Sequence, residues 1–183
     1  MSEELIIRHC SPTLAGMKTG SLFSCRCASK PELIVQIRGL NHRLVPKGLR
    51  VLPLRFWNGR ALIYVYRPSG LAKDFTDAQA RNLLEKCGYQ PEKTDQCILH
   101  LIRRLESAQE FPHEVGLFLG YPPGDVCAFI DNKAGNPKCV GCWKVYGDAE
   151  AAQKTFDRYQ KCTDVYCAQW KQGKSIERLT IAG

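Results

Sequence analysis

RVLPLRFWNGRALIYVYR, residues 50–67, decides the fold class. Two runs rich in β-branched and aromatic residues flank Asn58-Gly59. That pair is favoured in a tight type I′ turn, whose two central residues both need φ above zero. The stretch therefore predicts a β-hairpin. Pro53 has no N–H to give to a ladder, which puts the first strand at a sheet edge or at a bulge.

The neighbouring segments read as helices. In PELIVQIRGLNHRL, residues 31–44, Ile34, Ile37, Leu40 and Leu44 recur at helical spacing, and Pro46 and Gly48 close the element. CSPTLAGM, from Cys10, reads as a helix start with Ser11 as cap and Pro12 at the first helical position. Downstream, residues 76–87 and about 94–108 predict two helices, with Thr76 or Asp77 capping the first and Cys87-Gly88 ending it. Three short runs, 114–119, 126–131 and 139–146, are separated by YPPGD and NKAGNP and predict an antiparallel meander. Asp148 caps a last helix over 149–161, and a cysteine-rich tail follows. The expectation is an α+β chain, a single domain over 1–183, with a mostly antiparallel sheet and helices packed on it.

Composition narrows the function classes. With 44% hydrophobic and 24% charged residues the chain can build a core, which argues against disorder. No apolar run approaches the ~18 residues that cross a bilayer, so no membrane partner is expected. MSEELIIRHCSP opens with two acids and a short apolar run, unlike a signal peptide, and a cytoplasmic location is expected. Ten cysteines without an export signal point to reduced thiols, a metal site or a reactive cysteine rather than a disulfide framework.

Charge is one-sided. The formal net charge is +8, and between Arg26 and Lys73 ten Lys/Arg face Glu32 as the sole acid. Such a field favours an anionic small molecule, an acidic protein or nucleic acid. The hairpin interleaves Arg50, Arg55, Arg60 and Arg67 with aromatics that include Trp57, as single-strand binders do. The same interleaving arises on any sheet with one buried aromatic face and one solvated charged face.

Two site chemistries suggest themselves. Cysteine nucleophiles need a lowered pKa, which a helix N-terminus and a nearby histidine supply. Cys10 stands before a proline-started helix and His113 before an apolar strand. This is the layout of papain-like folds, in which Asp131 or Asn132 would orient the imidazole. The competing reading is a buried inert thiol and a strand-end hydrogen bonder. Separately, Cys139-x2-Cys142 and Cys162-x4-Cys167 make two close pairs of thiols. They are candidates for a four-thiolate zinc or iron–sulfur site, although a full helix fills the gap between the pairs.

Local texture adds to this. CSPTLAGM resembles the cysteine helix of bacteriocin-processing cysteine peptidases, and HEVGLFLG resembles the histidine strand of cell-wall amidases of the same superfamily. The resemblance implies a cysteine-dependent hydrolase or acyl or thiol transferase, with Cys10 attacking, His113 as base and Asp131 or Asn132 as orienter. The basic hairpin would draw an anionic substrate, and Tyr121 with its Pro-Pro-Gly turn would shape the pocket lip. Over nearly its whole length the chain is similar to a domain-of-unknown-function family of small cytoplasmic proteins from anaerobic Firmicutes. RHCSPTLAGMKTGSLF, FPHEVGLFLGYPPGDVCAFI and GCWKVYGDAEAAQKTF carry that likeness. It implies a bacterial protein and transfers no activity.

Overall fold

The structure is a computed structural model that describes residues 1–107 and 111–183. In chain order it contains α1 (Glu3–Leu14), β1 (Gly20–Arg26), α2 (Lys30–Leu44), β2 (Arg50–Trp57), β3 (Arg60–Tyr66), α3 (Pro68–Asp74) and α4 (Ala78–Lys86). Then come α5 (Thr94–Ser107), α6 (Val115–Phe118), α7 (Pro123–Asp131), β4 (Cys139–Val140), β5 (Lys144–Val145), α8 (Ala149–Lys171) and α9 (Ile176–Leu179). The class is α+β, with small antiparallel sheets and helices packed against them. The chain packs as two compact units, 1–70 with 161–183, and 71–160.

The first unit is built on the hairpin. β3 lies between β1 and β2, antiparallel to both. Asn58 and Gly59 sit at φ 41° and 68°, as their turn requires. Pro53 falls where β2 slips register, between Pro53 and Arg55 on an edge strand, so the ladder loses no bond it could have kept. One sheet face, carrying Phe23, Cys25, Val51, Ala61, Ile63 and Val65, is buried against the apolar stripes of α1 and α2. Ile6, Ile7, Cys10 and Leu14 form the α1 stripe at helical spacing, and Leu33, Ile37, Leu40 and Leu44 form that of α2. A fully buried side chain of this size contributes about 1.5–3 kcal/mol over exposure.

The N-terminal expectation needs correction. Helix α1 does not start at Cys10. It starts at Glu3, with Glu3 and Glu4 in a first turn that favours acids, and it ends at Leu14. Pro12 lies inside the last turn, and the Ser11 hydroxyl donates back to the Ile7 carbonyl instead of capping. The strand β1 that follows is one the pattern reading does not anticipate.

Arg67 is the first unit's buried charge. Its guanidinium donates to Thr13 O and Leu14 O at 2.8 Å and to Ile181 O at 2.7 Å, joining the end of α1, whose Leu14 carbonyl also accepts from Ile181 N, to the C-terminal segment. Burial lowers its pKa, against a smaller opposing effect of Tyr166.

The second unit is almost wholly helical. Asp77 caps α4, accepting from Gln79 N at 2.9 Å and Ala80 N at 3.0 Å. Gly88, at φ 84°, turns the chain out of it. Helix α5 begins where expected, and the expected final residue 108 lies outside the described residues. The meander is not formed. Residues 115–118 and 123–131 are the helices α6 and α7, and only β4 and β5, two residues each, pair in the third segment. Pro123 occupies the first turn of α7, a place where its missing N–H costs nothing. Asp148 caps α8 as expected, accepting from Ala151 N at 3.0 Å, but the helix runs on to Lys171 and absorbs the cysteine-rich tail. No helix among the described residues is long and apolar enough to cross a membrane.

Candidate ligand-binding site

The second unit holds a cavity of about 230 Å³. Phe111, Tyr121, Phe129 and Trp143 give it an aromatic lining, Gly116 and Val126 also line it, and His113, Asp125 and Lys144 contribute to a surface that is almost wholly apolar. The wall comes from sequence-distant pieces. Gly116 sits in α6 with no Cβ to fill the space. A Cβ there would come within 2.8 Å of Val126 Cγ2 and 3.3 Å of Tyr121 Cδ2.

Asp125 organises this region. It is buried in the first turn of α7, where a carboxylate also meets the helix dipole favourably. Its Oδ1 accepts from Tyr146 N at 2.9 Å and Gly147 N at 2.7 Å, and its Oδ2 accepts from Trp143 Nε1 at 2.8 Å. These bonds fix the β4–β5 hairpin and the Trp143 ring, which also meets Tyr121 at 5.1 Å and Phe156 edge-on at 4.6 Å. The carboxylate is thereby occupied by its own chain.

Among the described residues, Lys144 uses one of its three N–H donors. Its Nζ gives one bond to Ala134 O at 2.7 Å and stands 5.7 Å from the Phe129 ring centre. Ala134 holds its carbonyl there from a left-handed conformation, φ 62°, that costs a non-glycine residue about 1–2 kcal/mol. His113 is exposed and rests edge-on against Phe129 at 5.0 Å. Tyr121 is pushed up to about 12 by burial first, then by Cys142 and Tyr159, so its phenol is neutral at physiological pH.

Among the candidate residues, Tyr121 and His113 meet at this cavity. The thiol constellation does not take the expected form. Cys10 is mid-helix, away from any helix N-terminus, and wholly buried. Burial pushes its thiol up, and the smaller lowering effects of Lys18 and Ser21 do not offset that, so it is a core thiol and not a thiolate. Its neighbour His9 stacks on Phe23 at 5.2 Å. Cys10 belongs to the first unit and His113 to the second. His113 precedes a helix, not a strand. Asp131 and Asn132 end α7 in solvent, and among the described residues neither hydrogen-bonds His113; the Asn132 amide turns back to Ala128 O at 2.7 Å.

Nor do the four thiols form the expected cage. Cys139 opens β4 and Cys142 lies in the β4–β5 turn, whereas Cys162 and Cys167 lie five residues apart on α8. Five residues turn a helix by about 140°, so the last two cannot face one ion. Among the described residues no group of three or more His, Cys, Asp or Glu is placed to hold a metal. In the hairpin, Arg50, Arg55 and Arg60 reach solvent, Trp57 is half-buried, and Arg67 is consumed by backbone carbonyls.

The pattern reading misses Asp125, Trp143 and Lys144. Asp125 closes the PPGD signal that reads as a turn, and a proline-started helix carries the same residues.

A family model described as Protein of unknown function (DUF3793) matches residues 6–180, in keeping with the likeness carried by the HEVGLFLGYP and WKVY blocks. No curated protein and no solved structure matches the chain.

Proposed function

The chain belongs to the DUF3793 family, proteins of unknown function, and from its site we propose a binding module for a small anion with an apolar, planar body. One observation carries the reading: an aromatic-lined cavity whose carboxylate, Asp125, already accepts three hydrogen bonds, while Lys144 and His113 are also among its lining residues. Ligand pockets combine apolar walls with a few placed polar groups in this manner. At about 230 Å³ the space lies below the roughly 300–1,000 Å³ typical of drug-sized ligands, which favours a molecule of one ring or a short chain. The body would stack between Trp143, Tyr121 and Phe129, and its carboxylate would take the remaining donors of Lys144.

The test uses Trp143 as reporter. Replacing Trp57 and Trp170 by Phe leaves it the single tryptophan of three. Titration with phenylacetate and short fatty carboxylates should change its emission, their neutral amides should bind more weakly, and Lys144→Met should erase that preference. Equal binding of acids and amides would remove the anion from the proposal. No response to any of them would remove the site.

A further inference from the structure

We propose that the end of the three-stranded sheet beside the β2–β3 turn is a platform for single-stranded nucleic acid. This surface lies in the first unit and does not depend on the cavity. Register defines it. Arg60 pairs with Arg26 on one side and with Trp57 on the other, and Leu62 pairs with Ser24 and Arg55. Side chains alternate along a strand. Since Ala61, Cys25 and Phe56 face the helix-covered core, these six residues share the opposite face. The hydrogen bonds agree, because Arg60 Nη2 donates to Ser24 Oγ at 2.6 Å across that face. The Arg55 guanidinium carbon stands 6.0 Å from the Trp57 ring centre. Arg26 and Arg60 are exposed, and Trp57, Arg55, Leu62 and Ser24 are partly so.

Charge singles out this unit. Residues 1–70 with 161–183 hold 15 Lys/Arg against 5 Asp/Glu, a net +10, whereas 71–160 hold 11 against 13, a net −2. Of the five acids, Glu3 and Glu177 bind Arg43 and Glu4 binds Arg8. Among the described residues no ion pair engages Arg26, Arg55 or Arg60. Three guanidinium groups without such carboxylates would attract any polyanion, and Trp57 among them adds a stacking surface. An unpaired base offers its face to such a ring, and a duplex does not.

The experiment is fluorescence anisotropy with a labelled fifteen-residue oligothymidylate, from 50 to 300 mM salt. Binding should fall with salt at a log–log slope of about −2, since each neutralised phosphate of a single strand contributes about −0.7 and three arginines face it. Arg26→Gln, Arg55→Gln and Arg60→Gln should each flatten the slope by about 0.7. Arg38→Gln, which removes an exposed charge from α2, should leave the slope unchanged. Trp57→Leu should weaken binding roughly tenfold at constant slope. Circular dichroism melts establish that each variant folds, and Trp57→Phe, which keeps a ring, should retain most of the affinity. The proposal fails if the oligonucleotide does not bind at 50 mM salt. It also fails if Trp57→Leu binds as the parent does, or if polyglutamate or duplex competes as well as the single strand.

Discussion

The indole of Trp143 donates to Asp125 at 2.8 Å, joining the wall of the apolar cavity to the first turn of a helix eighteen residues earlier. That carboxylate also takes the Tyr146 and Gly147 N–H groups, so one side chain holds both the β4–β5 hairpin and the ring that shapes the site. Asp125→Ala should cost about 3 kcal/mol, the scale for leaving buried partners of a charged acceptor unpaired. Asp125→Asn keeps one acceptor and should cost less. Urea unfolding gives both values, and native Trp143 emission should shift to the red in the Ala variant.

Gly116→Ala separates ligand space from stability. The added methyl would sit 2.8 Å from Val126 Cγ2, at a residue that lines the cavity. A loss of about 1–3 kcal/mol from overpacking is expected. Carboxylate binding should fall at least tenfold in protein that still melts cooperatively. Unchanged binding would mean the ligand does not reach α6.

Cys10 should behave as core. Iodoacetamide should leave it unmodified in folded protein from pH 6 to 9, while exposed Cys142 labels early. Cys10→Ala should cost about 1 kcal/mol, the scale for deleting one buried heavy atom. Rapid labelling of Cys10 below pH 7 would restore the thiol-enzyme reading.

Alkaline titration should find Tyr121 late. Its folded pKa of about 12 lies above the ordinary tyrosine value of roughly 10. The stability this shift represents is fully present below pH 10 and is lost as pH rises toward 12, because the unfolded chain gives up the proton first. Tyr121→Phe should therefore flatten the fall in melting temperature between pH 10 and 12. It should also remove the step near pH 12 from the 295 nm phenolate absorbance.

Arg67→Met should destabilise the first unit by about 3 kcal/mol, because Thr13, Leu14 and Ile181 lose their shared donor. Arg67→Lys keeps the charge but not the fork, and should recover only part of the loss. Oligonucleotide binding by the folded variant should be unchanged, since this side chain is buried away from solvent.

Elements with local signals were legible in the amino-acid order alone. Asn58-Gly59 specified the hairpin because a two-residue turn of this type needs residues that tolerate positive φ between matched strands. The spacing of Ile34, Ile37, Leu40 and Leu44 specified α2 through its period, although packing buries Leu33 rather than Ile34, and Asp77 and Asp148 marked helix starts by side chains that accept their own backbone N–H groups. Residues 115–118 and 123–131 were not legible, since a short apolar run has no period long enough to separate helix from strand and Pro-Pro-Gly begins either a turn or a helix. Packing, by contrast, settled which charges are free and which are spent. Arg55 and Arg67 look alike in the hairpin, but the first faces solvent beside Trp57 and the second is buried under three carbonyls from distant segments. Burial and hydrogen-bond partners depend on what the chain brings back from far away. The fate of Cys10, Asp125 and Arg67 therefore had to wait for the packed molecule.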